Sequence, residues 1–217
     1  MAHRTSNTIL LASNNRHKKI EIARVLEGYA VLTPAERGLE FECEETGVTF
    51  LENALLKARS LAAIAETPVI ADDSGLCVPS LGGRPGVLSA RFGADLSRPP
   101  GSDAERNEYL LSLLPDDVWG GSHDKGGPDD RADAYFVCCM VLLCGPERFV
   151  IVQETVQGRL VRTPRGEGGF GYDPIFFIPE LGKTAAELTL DEKNSYSHRG
   201  RAAARIKQLL DDHLHCF

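Results

Sequence analysis

Apolar positions along the chain alternate between two periods, and the alternation predicts interleaved strands and helices. Thr8–Ala12 is a short apolar run and reads as a strand. Lys18–Glu27 follows, with Ile20, Ala23, Val25 and Leu26 at helical spacing. Tyr29–Thr33 reads as a second strand. A long helix is predicted from Thr49 to about Ala65, because Thr49-x-x-Glu52 fits a capping box in which hydroxyl and carboxylate satisfy orphan N–H groups. Pro68 opens a β-branched strand, Val69-Ile70-Ala71-Asp72-Asp73, expected to break at Ser74-Gly75. Leu81–Gly86 is a turn region and Asp103–Leu114 reads as helical. Asp116–Asp130, rich in Gly, Asp and Pro, reads as an exposed, mobile loop. Tyr135–Leu143 and Arg148–Val156 read as strands of an antiparallel hairpin joined by Cys144-Gly145-Pro146-Glu147. Ser197–Leu214 closes the chain as an amphipathic helix, with Ala202, Ile206, Leu209 and Leu210 on one face. There are no repeats and no linker between independent domains. The mixed connections predict one α/β domain over residues 1–217, built on a mixed sheet and open to division into two lobes.

Composition narrows the function classes. The 217 residues suffice for a sizeable core, and 42% hydrophobic with 25% charged is ordinary for a globular chain. A net charge of −7 supplies no global basic field, so neither nucleic acid nor an anionic membrane is expected as main partner. Any polyanion must be held by local Lys and Arg. Met1–Asn7 lacks the apolar region of a secretory signal, and no apolar run reaches the length of a membrane span; a cytoplasmic location is expected. Six cysteines include no C-x-x-C pair. They read as small core hydrophobes in a reducing cytosol and as neither zinc ligands nor a disulfide framework.

Five segments can carry chemistry. Asp72 and Asp73 lie at the mouth of an apolar strand and point to opposite faces. Burying them is costly without a cation or donors, and Mg²⁺ held by one or two carboxylates plus substrate phosphates is an economical explanation. An Asx-turn at a strand end is the alternative. Ser13-Asn14-Asn15-Arg16-His17-Lys18 follows the first strand and enters a helix, where exposed N–H groups and a lysine bind anions; a capped helix with solvated bases is the alternative. It is not a P-loop, since G-x-x-x-x-G-K-[ST] is absent. Glu44-Glu45-Thr46-Gly47 precedes the helix that carries Lys57, and one of its carboxylates can join Asp73 at a metal; a plain acidic loop is the rival reading.

The run Pro164–Pro174 contains G-x-G-x-x-G, but Tyr172-Asp173-Pro174 and an apolar run follow, with no helix. The dinucleotide-fold reading therefore fails its context test. Glycines around Phe170 suggest backbone close to a flat ligand with the ring as a stacking platform, against a purely structural glycine loop. Lys193–Arg201 gathers donors ahead of or within the first turn of the last helix. Cations there oppose the helix dipole, which makes an anionic or carbonyl-bearing ligand attractive.

Ser13-Asn14-Asn15-x-x-Lys18, Glu44-Glu45-Thr46-Gly47, Ile70-Ala71-Asp72-Asp73-Ser74-Gly75, Gly168-Gly169-Phe170-Gly171-Tyr172-Asp173-Pro174 and Ser197-His198-Arg199-Gly200 occur in this order. In that order they resemble the inosine triphosphate pyrophosphatase (XTP/dITP diphosphatase) family, from about Ile9 to Leu210. The resemblance implies an elongated mixed β-sheet flanked by helices, two lobes with a central cleft, and a homodimer. It implies a Mg²⁺-dependent enzyme that cleaves ITP, dITP and XTP to the monophosphate and pyrophosphate, removing deaminated purines from the nucleotide pool. By the family pattern Asp73 accepts the proton, and Glu45, Asp73 and Asp72 serve the metal. Lys18 and Lys57 clamp phosphate oxygens, oriented by Ser13, Asn15 and Ser74 within a segment that also holds Asn14, Arg16 and His17. Phe170 stacks on the base within Gly171-Tyr172-Asp173, and Asp173, Lys193, His198 and Arg199 read its edge. Ser13-Asn14 stands where many relatives have Thr-Gly, and the 116–130 loop is longer than expected. The alternatives are a pyrophosphatase for other modified nucleotides and a non-catalytic nucleotide sensor.

Overall fold

The computed structural model describes residues 7–119 and 131–212. The strands are β1 (Thr8–Leu11), β2 (Ala30–Leu32), β3 (Val69–Cys77), β4 (Arg131–Gly145), β5 (Arg148–Val161), β6 (Phe176–Ile178) and β7 (Lys183–Thr184). The helices are α1 (Arg16–Val25), α2 (Phe50–Ala62), α3 (Asp103–Ser112), α4 (Leu190–Tyr196) and α5 (His198–Asp211). The strands form one mixed, seven-stranded open sheet in the order β2-β1-β3-β4-β5-β6-β7. β1 runs parallel to β2 and β3, and β6 runs antiparallel to β5 and β7.

The backbone divides into two compact units. The first comprises residues 1–73, 138–154 and 194–217, the second 74–137 and 155–193. Two apolar clusters hold the first unit. One joins Ile22 of α1 and Leu26, just past its end, to Ala202, Ala203 and Ile206 of α5 through Ile9, Leu11, Ile70 and Met140. The other packs Ala54, Ala58 and Leu61 of α2 on Leu10, Val69, Ala71 and Val141. One cluster, built on Leu76, Leu110, Trp119, Leu160 and Phe176, holds the second unit.

Local chemistry explains several element ends. Thr49 accepts from the Glu52 N–H while the Glu52 carboxylate accepts from the Thr49 N–H, the reciprocal cap expected from the sequence. α1 starts two residues before the expected Lys18, because the Asn15 side chain accepts from the His17 and Lys18 N–H groups at 2.9 and 3.2 Å. β3 does not break at Ser74-Gly75. It runs on to Cys77, where the Leu76 N–H reaches the buried Ser89 hydroxyl at 2.9 Å. The expected loop at Asp116–Asp130 lies for the most part outside the described residues; its first residues, Asp116–Val118, form a single 3₁₀ turn.

Cys77, Cys138 and Cys139 are free and buried, as small core residues should be. Cys144 is disulfide-bonded, which corrects the expectation for that cysteine. Among the described residues no helix is long and apolar enough to cross a membrane.

Candidate active site

The parallel register Leu11↔Ile70 puts Asp72 and Asp73 just past the carboxyl end of β1, where open α/β sheets bind ligands. Both are buried, and the pleat sends them to different partners in the first unit.

Asp72 lies in a chain of buried charge. Its Oδ2 is 3.0 Å from Lys18 Nζ and accepts from Arg199 Nε at 3.2 Å; Arg199 Nη1 donates to Glu21 Oε2 at 2.6 Å. Lys18 and Glu21 are one turn apart on α1, so one helix supplies a cation to Asp72 and an anion to Arg199. Burial alone would raise the Asp72 carboxyl, but Lys18 and Arg199 outweigh it and hold the group far below the carboxylate range. Asp72 is therefore a fixed anion with little affinity for a proton. The cation at the start of α5 is offset by Glu21 and Asp72. Gly200, next to Arg199, admits no side chain, because a Cβ there would lie 1.9 Å from the Asn194 carbonyl oxygen.

Arg199 is buried and neutralises two buried carboxylates. Removing one partner of such a group costs about 3–5 kcal/mol. Arg199→Met is therefore expected to lower Tm by about 10 °C, at about 2–4 °C per kcal/mol for a chain of this size. A thermal melt within about 2 °C of wild type, less than 1 kcal/mol on that scale, would contradict this role.

Asp73 has a different environment. Its Oδ1 lies 2.9 Å from Lys57 Nζ, its Oδ2 accepts from Asn53 Nδ2 at 3.2 Å, and Lys57 Nζ also reaches Glu45 Oε1 at 2.8 Å. Asn53 and Lys57 are i,i+4 on the buried face of α2. The Asn53 carboxamide also accepts from the Gly47 N–H at 2.8 Å, which ties the Glu-Glu-Thr-Gly segment to Asp73. Gly47 is required there, since a Cβ would lie 2.6 Å from Asn53 Oδ1. Burial raises the Asp73 carboxyl above its ordinary value; Lys57 opposes this and Glu45 reinforces it. Lys57 is pushed down by burial, but Asp73, Asp72 and Glu45 outweigh that and raise it, so it stays an ammonium. The two adjacent aspartates are thus driven apart, and only Asp73 gains proton affinity.

The donor set fits a hard cation of the Mg²⁺ type. Glu45 and Asp73 already converge on one positive centre, Lys57 Nζ. Two carboxylates are what such an ion draws from a protein when phosphates and water complete its shell. Among the described residues no group of three or more His, Cys, Asp and Glu forms a closed metal cage. Asp72, whose Oδ2 serves Lys18 and Arg199, is not part of the Glu45–Asp73 pair.

Ser13 and Asn14 of the anion loop have local partners. Ser13 Oγ accepts from the Asn15 N–H at 3.1 Å, and Asn14 Nδ2 donates to the Phe41 carbonyl at 3.2 Å. Arg16 and His17 are exposed, and Ser74 is half-buried on β3. His198, the first residue of α5, is buried.

The second unit holds the glycine-rich loop. Phe170 is half-buried; its N–H donates to Asp173 Oδ2 at 2.8 Å, and the same oxygen takes Lys193 Nζ at 2.6 Å. That ammonium lies 5.0 Å from the Phe170 ring centroid, a cation–π distance. Gly169 has φ +72°, and a Cβ there would fall 2.0 Å from Asp173 Oδ2. Gly171 also has a left-handed φ, +63°. Tyr172 differs from its neighbours: its ring lies in the apolar cluster and its hydroxyl donates to the Ser89 carbonyl at 3.0 Å, so it anchors the loop.

Glu21, Asn53 and the α3 residues Asp103 and Asn107 escaped the sequence reading. For Glu21 and Asn53 a signal existed in their one-turn spacing from Lys18 and Lys57.

The first unit thus carries two carboxylates on one lysine at a strand end, and the second carries an aromatic ring on a glycine loop. The chain belongs to the Ham1 family, whose model matches residues 9–209. It is 46% identical over 202 residues to the dITP/XTP pyrophosphatase of Treponema denticola, covering 93% of this chain and 97% of that one. It is 45% identical over 210 residues to the dITP/XTP pyrophosphatase of Nitrosomonas europaea, covering 95% of each. The solved structure of a Ham1 protein from Coxiella burnetii superposes with a TM-score of 0.78 at 36% identity, covering 95% of this chain and 99% of that one.

Proposed function

We propose that this protein hydrolyses non-standard purine nucleoside triphosphates, ITP, dITP and XTP, to the monophosphate and pyrophosphate. The observation that carries the reading is the split between Asp72 and Asp73: one carboxylate is locked by Lys18 and Arg199, and the other shares the Lys57 ammonium with Glu45 at the strand end. The names of the Treponema and Nitrosomonas relatives support the substrate class.

In this reading Lys18 and Lys57 hold phosphate oxygens, with Ser13, Asn15 and Ser74 orienting them. The Asn15 side chain does this indirectly, by fixing the first turn of α1. The Asp73 carboxylate takes a proton from the attacking water as its oxygen bonds to the α-phosphorus. The bond from that phosphorus to the α,β-bridging oxygen breaks, and pyrophosphate leaves. A Mg²⁺ ion held by Glu45 and Asp73 would neutralise phosphate charge and acidify the water. Asp72 supports that pair from outside, by keeping Lys18 in place. Catalysis is then positioning plus electrostatic stabilisation.

Phe170 stacks on the base, and the edge is read by Asp173, Lys193, His198 and Arg199. The last is pre-organised by its two carboxylates. Tyr172 and Gly171 hold the platform. The protein acts in the cytoplasm, and as a homodimer, the state that the family resemblance implies.

The reading is tested by a pyrophosphate-release assay with ITP, XTP, dITP and the four standard triphosphates, run with Mg²⁺ and after its removal by a chelator. Turnover of the three deaminated substrates that depends on added Mg²⁺ is expected. Binding without turnover would favour the sensor.

A further inference from the structure

We propose that Asp103 and Asn107, on α3 of the second unit, are positioning residues that set the Phe170 platform by clamping both sides of Gly171. This deepens the reading of Phe170 as the base-stacking ring and rests on it. Asp103 Oδ2 accepts from the Gly171 N–H at 2.6 Å. Asn107 Nδ2 donates to the Gly171 carbonyl at 3.1 Å. The two residues are i,i+4, so one helix face takes both polar groups of one residue. Gly171 sits at φ +63°, a conformation that presents those groups to a neighbour where an ordinary residue would not.

The geometry fixes the peptides on both sides of a half-buried ring. Phe170 is only half-buried, so its orientation depends on the peptides that flank it. The peptide before it is held by Asp173, itself seated on Lys193. The peptide after it ends in the Gly171 N–H, which is held by Asp103. Asn107 then fixes the next one, and Tyr172 pins the following residue to Ser89.

The clamp itself is rigid. Ser102 caps α3 through the Glu105 N–H, and the Glu105 carboxylate accepts from the Gly101 N–H at 2.6 Å. Asp103 pairs with Arg106, Leu110 is buried in the core, and the Tyr109 ring packs on Phe92 at 5.3 Å. Asn107 is 3% exposed, and its Oδ1 has no hydrogen-bond partner among the described residues. A buried amide that leaves one polar atom unsatisfied costs stability; this one is explained if its other end is needed on Gly171.

The test compares Asn107→Asp, Asp103→Ala and Asp103→Asn with wild type and with Phe170→Ala. Asn107→Asp keeps the volume and removes the donor; Asp103→Asn keeps an acceptor. The readouts are KM and kcat for ITP, the inhibition constant of inorganic tripolyphosphate, which lacks a base, and Tm to follow folding. Asn107→Asp and Asp103→Ala are expected to raise KM for ITP about tenfold or more, since an ångström of misplacement costs that much or more. kcat changes little, tripolyphosphate inhibition stays within about twofold, and Asp103→Asn recovers most of the loss. A parallel rise in KM and in the tripolyphosphate constant would mean general distortion and overturn the proposal. A KM within about twofold of wild type, while Phe170→Ala raises it, would overturn the clamp and leave the stacking reading intact. If Phe170→Ala itself leaves KM unchanged, the stacking reading fails and the clamp with it.

Discussion

ATP is expected to be a poorer substrate than ITP by about 10⁴ in kcat/KM, because the wrong base leaves buried polar groups unpaired. Hypoxanthine and xanthine present a carbonyl at C6, where adenine presents an amino group. A donor fixed at that position pairs with O6 and meets another donor in adenine. The donors assigned to the edge are held in advance: Lys193 on Asp173, and Arg199 on Glu21 and Asp72. A pre-set donor cannot swing away to accommodate the amino group without breaking a buried ion pair. Arg199→Ala is expected to lower kcat/KM for ITP more than for ATP and so compress their ratio. The ratio cancels any difference in the fraction of folded enzyme, which matters because this substitution also destabilises the chain. Equal losses for both nucleotides would show that Arg199 acts only through Asp72 and Glu21.

Asp73→Asn is expected to lower kcat by a hundredfold or more, roughly the contribution of a general base. The replacement keeps the volume and can still accept from Asn53, but it removes the charge that faces Lys57 and the group that takes the proton. The pH dependence has a definite sign. The Asp73 carboxyl is raised by burial and by Glu45, against Lys57. The active form is the carboxylate, so kcat/KM falls as pH falls through the Asp73 midpoint; burial raises that midpoint and a Mg²⁺ ion on the same carboxylate would lower it, so it should move down as Mg²⁺ is increased. Lys57, raised by its carboxylate partners, keeps its charge on the alkaline side. Asp72, held far below the usual range, contributes no step near that midpoint. In Asp73→Asn the acid limb should vanish from the residual activity. A variant that keeps more than about a tenth of wild-type kcat would remove Asp73 from the base role.

Much of this architecture was legible because local chemistry decided it. The Thr49–Glu52 box fixed the start of α2, and the β-branched run at Val69 delivered the two aspartates. α4 was missed although its box was present. Thr189 and Glu192 cap it reciprocally, at 2.8 and 3.2 Å, but a helix of seven residues has too few turns to show a period. β5 outran its expected end at Val156 because its further residues continue the burial alternation to Val161.

At the site, the motif residues could be named from the chain, but which distant residues they meet could not. Glu21 meets Arg199 across 178 positions and Asp103 meets Gly171 across 68, distances at which residue spacing carries no information. The different fates of Asp72 and Asp73 were equally invisible. Adjacency and the pleat say that they face apart, but only the fold says which face holds Arg199 and which holds Lys57.

In the proposed reaction water cleaves ITP between its α- and β-phosphates at the Asp73 site, and the β,γ-phosphates leave together. Phosphorus NMR of an ITP digest tests it directly. IMP and pyrophosphate should appear together as first products, in equal amounts and without IDP. IDP and orthophosphate as the first products would contradict the account.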